Sequence, residues 1–149
     1  MKGPESILVD YVLNEPPIDV WRALTEPKLL AQWLMANDIV AVVGTKFTFR
    51  EQPRGDWDGI VYCEVLQVDP PHKLVYSWQG GSEIDGATTP LLDTIVTWTL
   101  TPTPGGGTLL HLHHEGFRPE DYAFKVIGDG WRSMLTAEKI TRVLRGDQS

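Results

Sequence analysis

The sequence predicts an α+β fold in which a curved antiparallel sheet packs against one long C-terminal helix. Apolar residues on a 3.6-residue period indicate the helix, from Pro119 to about Arg145. Alternating apolar and polar residues, with turn signals at regular intervals, indicate short strands between Ile39 and His114. A helix of about 27 residues, roughly 40 Å long, must bury its apolar face, and the sheet is the partner that the rest of the chain can build.

One strand and two short helices are predicted ahead of the alternating region. Ile7 to Leu13 is the strand, because it is rich in apolar and β-branched residues and a Pro-Pro pair follows closely. Pro17 opens a helix that runs through Leu24. Thr25 is predicted to be the N-cap of a second helix. The apolar side of that helix consists of Leu29, Leu30, Trp33 and Leu34.

The alternating region gives a total of about six antiparallel strands. In order, the predicted strands of this region are Ile39 to Val43, Lys46 to Arg50, Ile60 to Asp69, Lys73 to Trp78, Thr94 to Leu100 and Leu109 to His114. Period-two spacing places alternate residues on one face. The inward face of the strand from Ile60 stays open, because both of its faces are largely apolar.

The segment from Gly80 to Pro90 contains three glycines and no periodicity. It is longer than a hairpin needs, which fits either a mobile lid over an opening or an ordinary surface loop. Both interpretations remain open.

Composition favours one cytoplasmic domain spanning residues 1–149. The chain is 42% hydrophobic and carries a net charge of −7, which argues against nucleic-acid binding. Cys63 is the only cysteine, so no internal disulfide or thiol metal cluster is expected, and a reducing compartment fits best. The first residues lack the apolar core of an export signal, and no run reaches the ~20 apolar residues of a membrane span.

Seven stretches, spread in order over almost the whole chain, carry a resemblance to a known family. They are Pro17 to Thr25, Gln32-Trp33, Gly44 to Phe47, Val65 to Pro71, Leu74 to Trp78, His114 to Phe117 and Gly130-Trp131. In these stretches the chain resembles the activator of heat-shock-protein-90 ATPase homologue family, within the SRPBCC (START-like, helix-grip) superfamily.

The resemblance implies a helix-grip fold, with seven antiparallel strands curled around the C-terminal helix and an apolar cavity between them. It is less specific about function, because lipid carriers, polyketide cyclases, antibiotic-resistance proteins and chaperone regulators share this scaffold. Two departures stand out. Gln67 occupies a position where relatives often carry Glu, and the chaperone-activating members have a separate N-terminal domain that these residues do not include.

Aromatic and apolar residues predicted to face inward form the candidate ligand-binding site. Mixed aromatic and aliphatic walls with a few polar groups are typical of pockets for apolar ligands. The same residues could instead simply fill the core. The predicted ligand-binding residues are Trp33, Phe49, Tyr76, Trp78, Trp98, Leu112, His114, Trp131, Met134 and Leu135.

His114 is the polar residue of greatest interest, because it shares a strand face with Leu110 and Leu112. A neutral imidazole there could hydrogen-bond a ligand oxygen or transfer a proton, since the unperturbed pKa is about 6.5. Alternatively it is a buried structural histidine bonded to Tyr76 or to the backbone.

The opposite face of the same strand carries His111, His113 and Glu115. Neighbouring side chains on one strand face lie about 7 Å apart, which is too far for one tetrahedral ion without a ligand from another strand. A polar outer surface is therefore favoured over a metal site, and no metal or other cofactor is predicted.

The last helix offers two further candidates. Glu138 is either an acid–base group at the cavity mouth or a partner of Arg142 in an i,i+4 ion pair. Ile140, Val143 and Leu144 form a second apolar patch that could hold a dimer partner.

Three functions fit this sequence. The first is binding of a small hydrophobic or aromatic ligand between sheet and helix, with Tyr76 and His114 orienting the ligand. The second is a cyclase or hydrolase that uses His114 or Glu138, although the familiar nucleophile, phosphate-loop and zinc motifs are absent from the sequence. The third is a protein-interaction role similar to that of chaperone cofactors. The expected partners are a small ligand and, as alternatives, a chaperone or a second copy, with no nucleic acid and no membrane span.

Overall fold

The computed structural model describes residues 5–51, 60–80, 83–84, 87–88, 92–117, 131 and 135–146. The strands within these residues are β1 Glu5–Leu13, β2 Ala36–Asn37, β3 Lys46–Arg50, β4 Ile60–Asp69, β5 Lys73–Gly80, β6 Glu83–Ile84, β7 Ala87–Thr88, β8 Leu92–Pro102 and β9 Thr108–Phe117. The helices are α1 Pro17–Thr25, α2 Pro27–Trp33 and α3 Leu135–Arg145.

Seven strands form one antiparallel sheet in the order β1-β9-β8-β5-β4-β3-β2. Strand β1 lies at one edge and pairs with β9, far away in the sequence, while β2 forms the other edge. Strands β6 and β7 make a separate two-stranded hairpin. The predicted α+β helix-grip fold is confirmed, with a curled seven-stranded sheet and a C-terminal helix.

The alternation predicted for the sheet is present in the described strands. In β9, Leu110, Leu112 and His114 are buried, whereas His111 and His113 are half-buried on the other face. One side of the sheet therefore builds the core and the other side faces solvent, as expected for an antiparallel sheet covered on one face.

Strand β4 buries only one of its two apolar faces. Val61, Cys63 and Val65 are buried, and Tyr62 and Leu66 are exposed. The pairing register of β4 with β5 shifts between Val65 and Gln67, so an extra residue interrupts strict alternation at that point. Burial also raises the pKa of the Cys63 thiol, which stays protonated.

The predicted strand from Ile39 to Val43 is wrong. The chain turns there: the Val42 amide donates to the Val40 carbonyl at 2.8 Å, and Gly44 has a φ of +89°. Its β-branched valines favour a strand by composition, but Val42 and Val43 point into solvent and gain nothing from a strand face. The pairing segment is instead β2, where Ala36 lies opposite Arg50.

Thr25 does not cap the second helix as predicted. It is the last residue of α1, and its hydroxyl donates to the carbonyl of Trp21 at 2.8 Å within that helix. Glu26 takes the cap position of α2, and Pro27 follows as its first residue. The second helix therefore begins one residue later than predicted, since Pro27 is suited to the first helical turn.

The C-terminal helix is described from Leu135 to Arg145, and Trp131 has helical backbone before it. Residues 119–130 and 132–134 of the predicted helix lie outside the described residues. Ile140 and Val143 are buried where α3 meets α1 and α2. The predicted exposed apolar patch is wrong at these two positions, because that face completes the core. Among the described residues, none of the helices is long and apolar enough to cross a membrane.

Candidate functional site

The predicted ligand-binding residues converge on the inner face of the sheet. Every one of them whose side chain the structure describes is buried. These residues are Trp33, Phe49, Tyr76, Trp78, Trp98, Leu112, His114 and Trp131. Met134 lies outside the described residues, and Leu135 begins α3 with its side chain outside them.

Period-two geometry and strand register bring these side chains together. Trp98 of β8 lies opposite Leu112 of β9, and Tyr76 of β5 lies opposite Val96 of β8. Because the strands are neighbours in the sheet, their alternate residues form one continuous inner surface. Trp33 reaches this surface from α2, where its indole nitrogen donates to the Ala23 carbonyl at 2.8 Å.

Trp131 lies over the tryptophans of the sheet. Its ring centroid is 5.8 Å from that of Trp78 and 5.5 Å from that of Trp98, with edge-to-face geometry in both pairs. Trp33 makes a third such contact with Trp98 at 6.1 Å. Aromatic pairs of this kind contribute about 0.5–1.5 kcal/mol beyond their buried area. The predicted inward orientation of Trp131 is confirmed.

His114 is held by hydrogen bonds at both ring nitrogens. The indole Nε1 of Trp131 donates to Nδ1 at 3.0 Å, and Nε2 lies 2.7 Å from the hydroxyl of Thr94. Because an indole N–H can only donate, Nδ1 must be the unprotonated nitrogen and Nε2 must carry the proton. Thr94 in turn donates to the carbonyl of Trp78 at 2.9 Å.

This arrangement keeps His114 neutral. Burial, with a smaller contribution from His113, lowers its pKa from 6.5 to about 3. The structural interpretation of His114 is thus favoured, although its partners are Thr94 and Trp131 and not Tyr76 or the backbone. Neither ring nitrogen is free for a ligand or for proton transfer while these bonds are intact.

Tyr76 differs from His114 because its hydrogen-bonding capacity is only half used. Its hydroxyl oxygen accepts a bond from the Trp98 indole at 2.9 Å. Among the described residues, nothing accepts the hydroxyl proton of Tyr76, although the side chain is buried. Burial raises the pKa of Tyr76, so the phenol stays protonated.

Two polar residues of this interior were missed by sequence reasoning. Thr94 shares the inward phase of Val96 and Trp98 in β8, so alternation could have found it. Tyr11 donates its hydroxyl to the backbone carbonyl of Trp131, which ties the first strand to the C-terminal segment. No local pattern signals that second contact, because the two residues are 120 positions apart.

The outer face of β9 carries the remaining histidine candidates. Nδ1 of His111 lies 2.6 Å from a carboxylate oxygen of Asp10, and Nδ1 of His113 lies 3.2 Å from one of Glu115. In the described part of the chain, no three potential ligands are placed to hold a metal ion. These residues form the polar outer surface that the spacing favoured.

Glu138 is exposed on α3 and is not part of the buried interior. Within α3 it forms no ion pair with Arg142, so neither predicted role for this carboxylate is seen. The predicted lid contains the β6–β7 hairpin, in which Ile84 pairs with Ala87. The rest of the segment from Gly80 to Pro90, apart from Gly80 itself at the end of β5, lies outside the described residues.

Comparison with known proteins gives a family match over most of the chain. The model of the family described as activator of Hsp90 ATPase homolog 1-like protein matches residues 14–145. Among curated proteins, none matches the chain.

Solved structures resemble the chain over nearly its full length. Protein MLL2253 from Mesorhizobium loti is 36% identical, with a TM-score of 0.78, and the match covers 97% of this chain and all of that protein. The Aha1 dimer from Colwellia psychrerythraea is 16% identical, with a TM-score of 0.74 and coverage of 97% and 99%. CalU16 from Micromonospora echinospora is 23% identical, with a TM-score of 0.68 and coverage of 95% and 76%. The two less identical structures support the fold alone.

Proposed function

The chain belongs to the activator of Hsp90 ATPase homolog 1-like family, and from this we propose that it binds a small hydrophobic or aromatic molecule between the sheet and the C-terminal helix. The observation that carries the proposal is the convergence of Trp33, Trp78, Trp98 and Trp131 on one inner surface. Such a surface gives an apolar ligand about 25 cal/mol for each Å² that it buries. A few polar groups among these rings, Tyr76 above all, provide orientation.

Acid–base catalysis is not part of the proposal. His114 has both ring nitrogens bonded and a depressed pKa, and Glu138 faces solvent on α3. The two residues expected to carry such chemistry therefore lack either access or a suitable environment. Ligand binding does not require proton transfer by His114 or Glu138.

We also propose that residues 1–149 form one cytoplasmic domain. Strand β1 pairs with β9, and Tyr11 bonds to the Trp131 carbonyl, so segments from both ends of the chain contribute to one core. The buried thiol of Cys63 is compatible with a reducing compartment.

Titration with 2-ethylnaphthalene, followed by tryptophan fluorescence and calorimetry, tests the binding proposal. Saturable quenching with one site per chain is the expected result. Leu112→Trp, which enlarges a fully buried side chain, should abolish binding, whereas the matched substitution Leu8→Trp on the exposed face should preserve it. Circular dichroism verifies that both variants are folded. A folded wild-type protein that binds neither this probe nor any member of a broad apolar library would contradict the proposal.

A protein-interaction role is the second candidate, and exposed apolar residues favour it. Val40, Val42 and Val43 expose 51%, 58% and 60% of their surface within one turn, and the turn bonds to the backbone of Val65 beside exposed Leu66. Exposed apolar clusters of this kind often mark contact sites. Pull-down with the 90-kDa heat-shock chaperone and its ATPase rate test one partner, and light scattering tests self-association. Replacing the three valines with serine should abolish either interaction, with Val12→Ser as the control.

A further inference from the structure

The Tyr76 hydroxyl is a buried hydrogen-bond donor that has no acceptor among the described residues. The side chain is 1% exposed, so water has almost no access to it. Its oxygen is occupied as an acceptor by the Trp98 indole, and among the described residues its proton has no acceptor. The hydroxyl is therefore partnered as an acceptor, and its donor side remains available to a further group.

The buried threonines and His114 either have hydrogen-bond partners or keep contact with solvent. His114 and Thr94 bond to each other and to neighbouring groups, and Thr108 donates to the Glu15 carbonyl at 2.7 Å. Thr136 retains 9% exposure, which leaves it in contact with solvent. Compared with these threonines and His114, the Tyr76 hydroxyl is the group that keeps a donor without an acceptor among the described residues.

Charge is excluded from the same region. The buried polar side chains of the described residues are three threonines and one histidine, with no Lys, Arg, Asp or Glu among them. Burial holds His114 in its neutral form and Tyr76 in its protonated form. An ionised ligand would lose its hydration and meet no opposite charge, which is costly.

The surroundings of Tyr76 are aromatic. Its ring lies 5.2 Å from Phe47 in an edge-to-face pair and 6.0 Å from Phe49 in a tilted pair. The indole of Trp98 completes the set at the hydroxyl end. Aromatic rings offer faces and edges against which another aromatic ring can pack.

Resting on the proposed function, we propose that the ligand is an uncharged aromatic molecule with a carbonyl-type oxygen that accepts a hydrogen bond from the Tyr76 hydroxyl. The oxygen would accept the proton for which the described residues provide no acceptor. Discrimination follows from the same bond, because a site built to hydrogen-bond a ligand disfavours an analogue that leaves its polar group unpaired.

Three probes of similar shape test the ligand class by calorimetry at pH 7: 2-acetylnaphthalene, 2-ethylnaphthalene and 2-naphthoate. The ketone should bind the wild-type protein about 2- to 10-fold more tightly than the hydrocarbon, the range of one net hydrogen bond. The carboxylate should bind more weakly than both. Failure of all three to bind overturns the proposed function and this inference with it. Equal binding of ketone and hydrocarbon overturns only the ligand class.

Tyr76→Phe should reduce the ratio of ketone to hydrocarbon affinity to about one, because only the hydroxyl is removed. Tyr62→Phe, at an exposed tyrosine of β4, should keep the wild-type ratio. Trp98→Phe removes the indole donor but leaves the Tyr76 hydroxyl, so it too should keep the preference even if both affinities fall. A preference that survives in Tyr76→Phe would overturn the assignment.

Infrared spectroscopy of the bound ketone provides a measurement that does not depend on a variant folding. A hydrogen bond from Tyr76 should shift the carbonyl stretch of bound 2-acetylnaphthalene to lower frequency than in hexane. A stretch equal to that in hexane would overturn the inference even if the ketone binds tightly.

Discussion

The indole nitrogen of Trp131 donates a hydrogen bond to Nδ1 of His114 at 3.0 Å, and this contact fixes the tautomer of the imidazole. Protonation of Nδ1 would place two N–H groups against each other and break the bond. The histidine therefore links the C-terminal segment to β9 only while it is neutral. This dependence makes the stability of the fold sensitive to acid.

Stability should fall below pH 6.5 because of His114. The pKa is 6.5 in the unfolded chain and about 3 in the folded one, so only the unfolded chain takes up this proton between those values. The contribution of neutral His114 to the free energy of unfolding is complete above pH 6.5. It declines by about 1.4 kcal/mol for each pH unit down to about pH 3. Urea unfolding at pH 7, 6 and 5 measures the slope.

His114→Gln should lessen this pH dependence, because glutamine can accept from Trp131 and donate to Thr94 without titrating. The difference between wild type and variant removes the contribution of the carboxylates. His72→Gln, at an exposed histidine, should leave the slope as it is in the wild type. Identical slopes for His114→Gln and wild type would show that this residue does not carry the effect.

Ile140→Ala should destabilise the fold by about 2–5 kcal/mol, the usual cost of removing a large buried aliphatic side chain. Ile140 is fully buried where α3 packs on the other helices. Lys139→Ala, one position earlier on the exposed side, should change the free energy of unfolding by less than about 0.5 kcal/mol. Equal small effects from urea unfolding of the two variants would mean that the Ile140 face is not part of the core.

Gly107→Ala should destabilise the protein by about 1–3 kcal/mol through overpacking. A Cβ at this position would lie 2.3 Å from the carbonyl oxygen of Leu13, a backbone atom that cannot move aside without disturbing β1. Gly105→Ala is the matched control in the same turn, since a Cβ there meets nothing within 4 Å. Thermal unfolding should separate the two, and a tolerated Gly107→Ala would disprove the close approach.

Periodicity predicted the sheet and the inward residues well, because one-sided burial of a strand imposes a period of two on the sequence. The alternation through Leu110, Leu112 and His114 is an example. Local composition gave a wrong prediction for the turn with Val40, Val42 and Val43, because its β-branched residues are typical of a strand. Side-chain exposure there depends on the rest of the fold, which local composition does not encode.

The polar contacts of the interior were beyond the reach of sequence reasoning. Thr94 and His114 are 20 positions apart, and they meet because β8 and β9 pair with Val96 opposite His114. A shift of that register by one residue would turn His114 toward solvent. The residue types were therefore found, but their partners required the register.

The position of β1 has a consequence for the newly made chain. Strand β1 forms its ladder with β9, whose residues are synthesised roughly 100 positions later. During translation, β1 is therefore unpaired with β9 while the intervening strands are synthesised. Its apolar residues, including Ile7 and Tyr11, are not yet buried against that strand. Pairing of β1 with β9 is thus a late, long-range step. Until β9 has been released, β1 exposes apolar side chains and unpaired backbone groups that can bind other proteins.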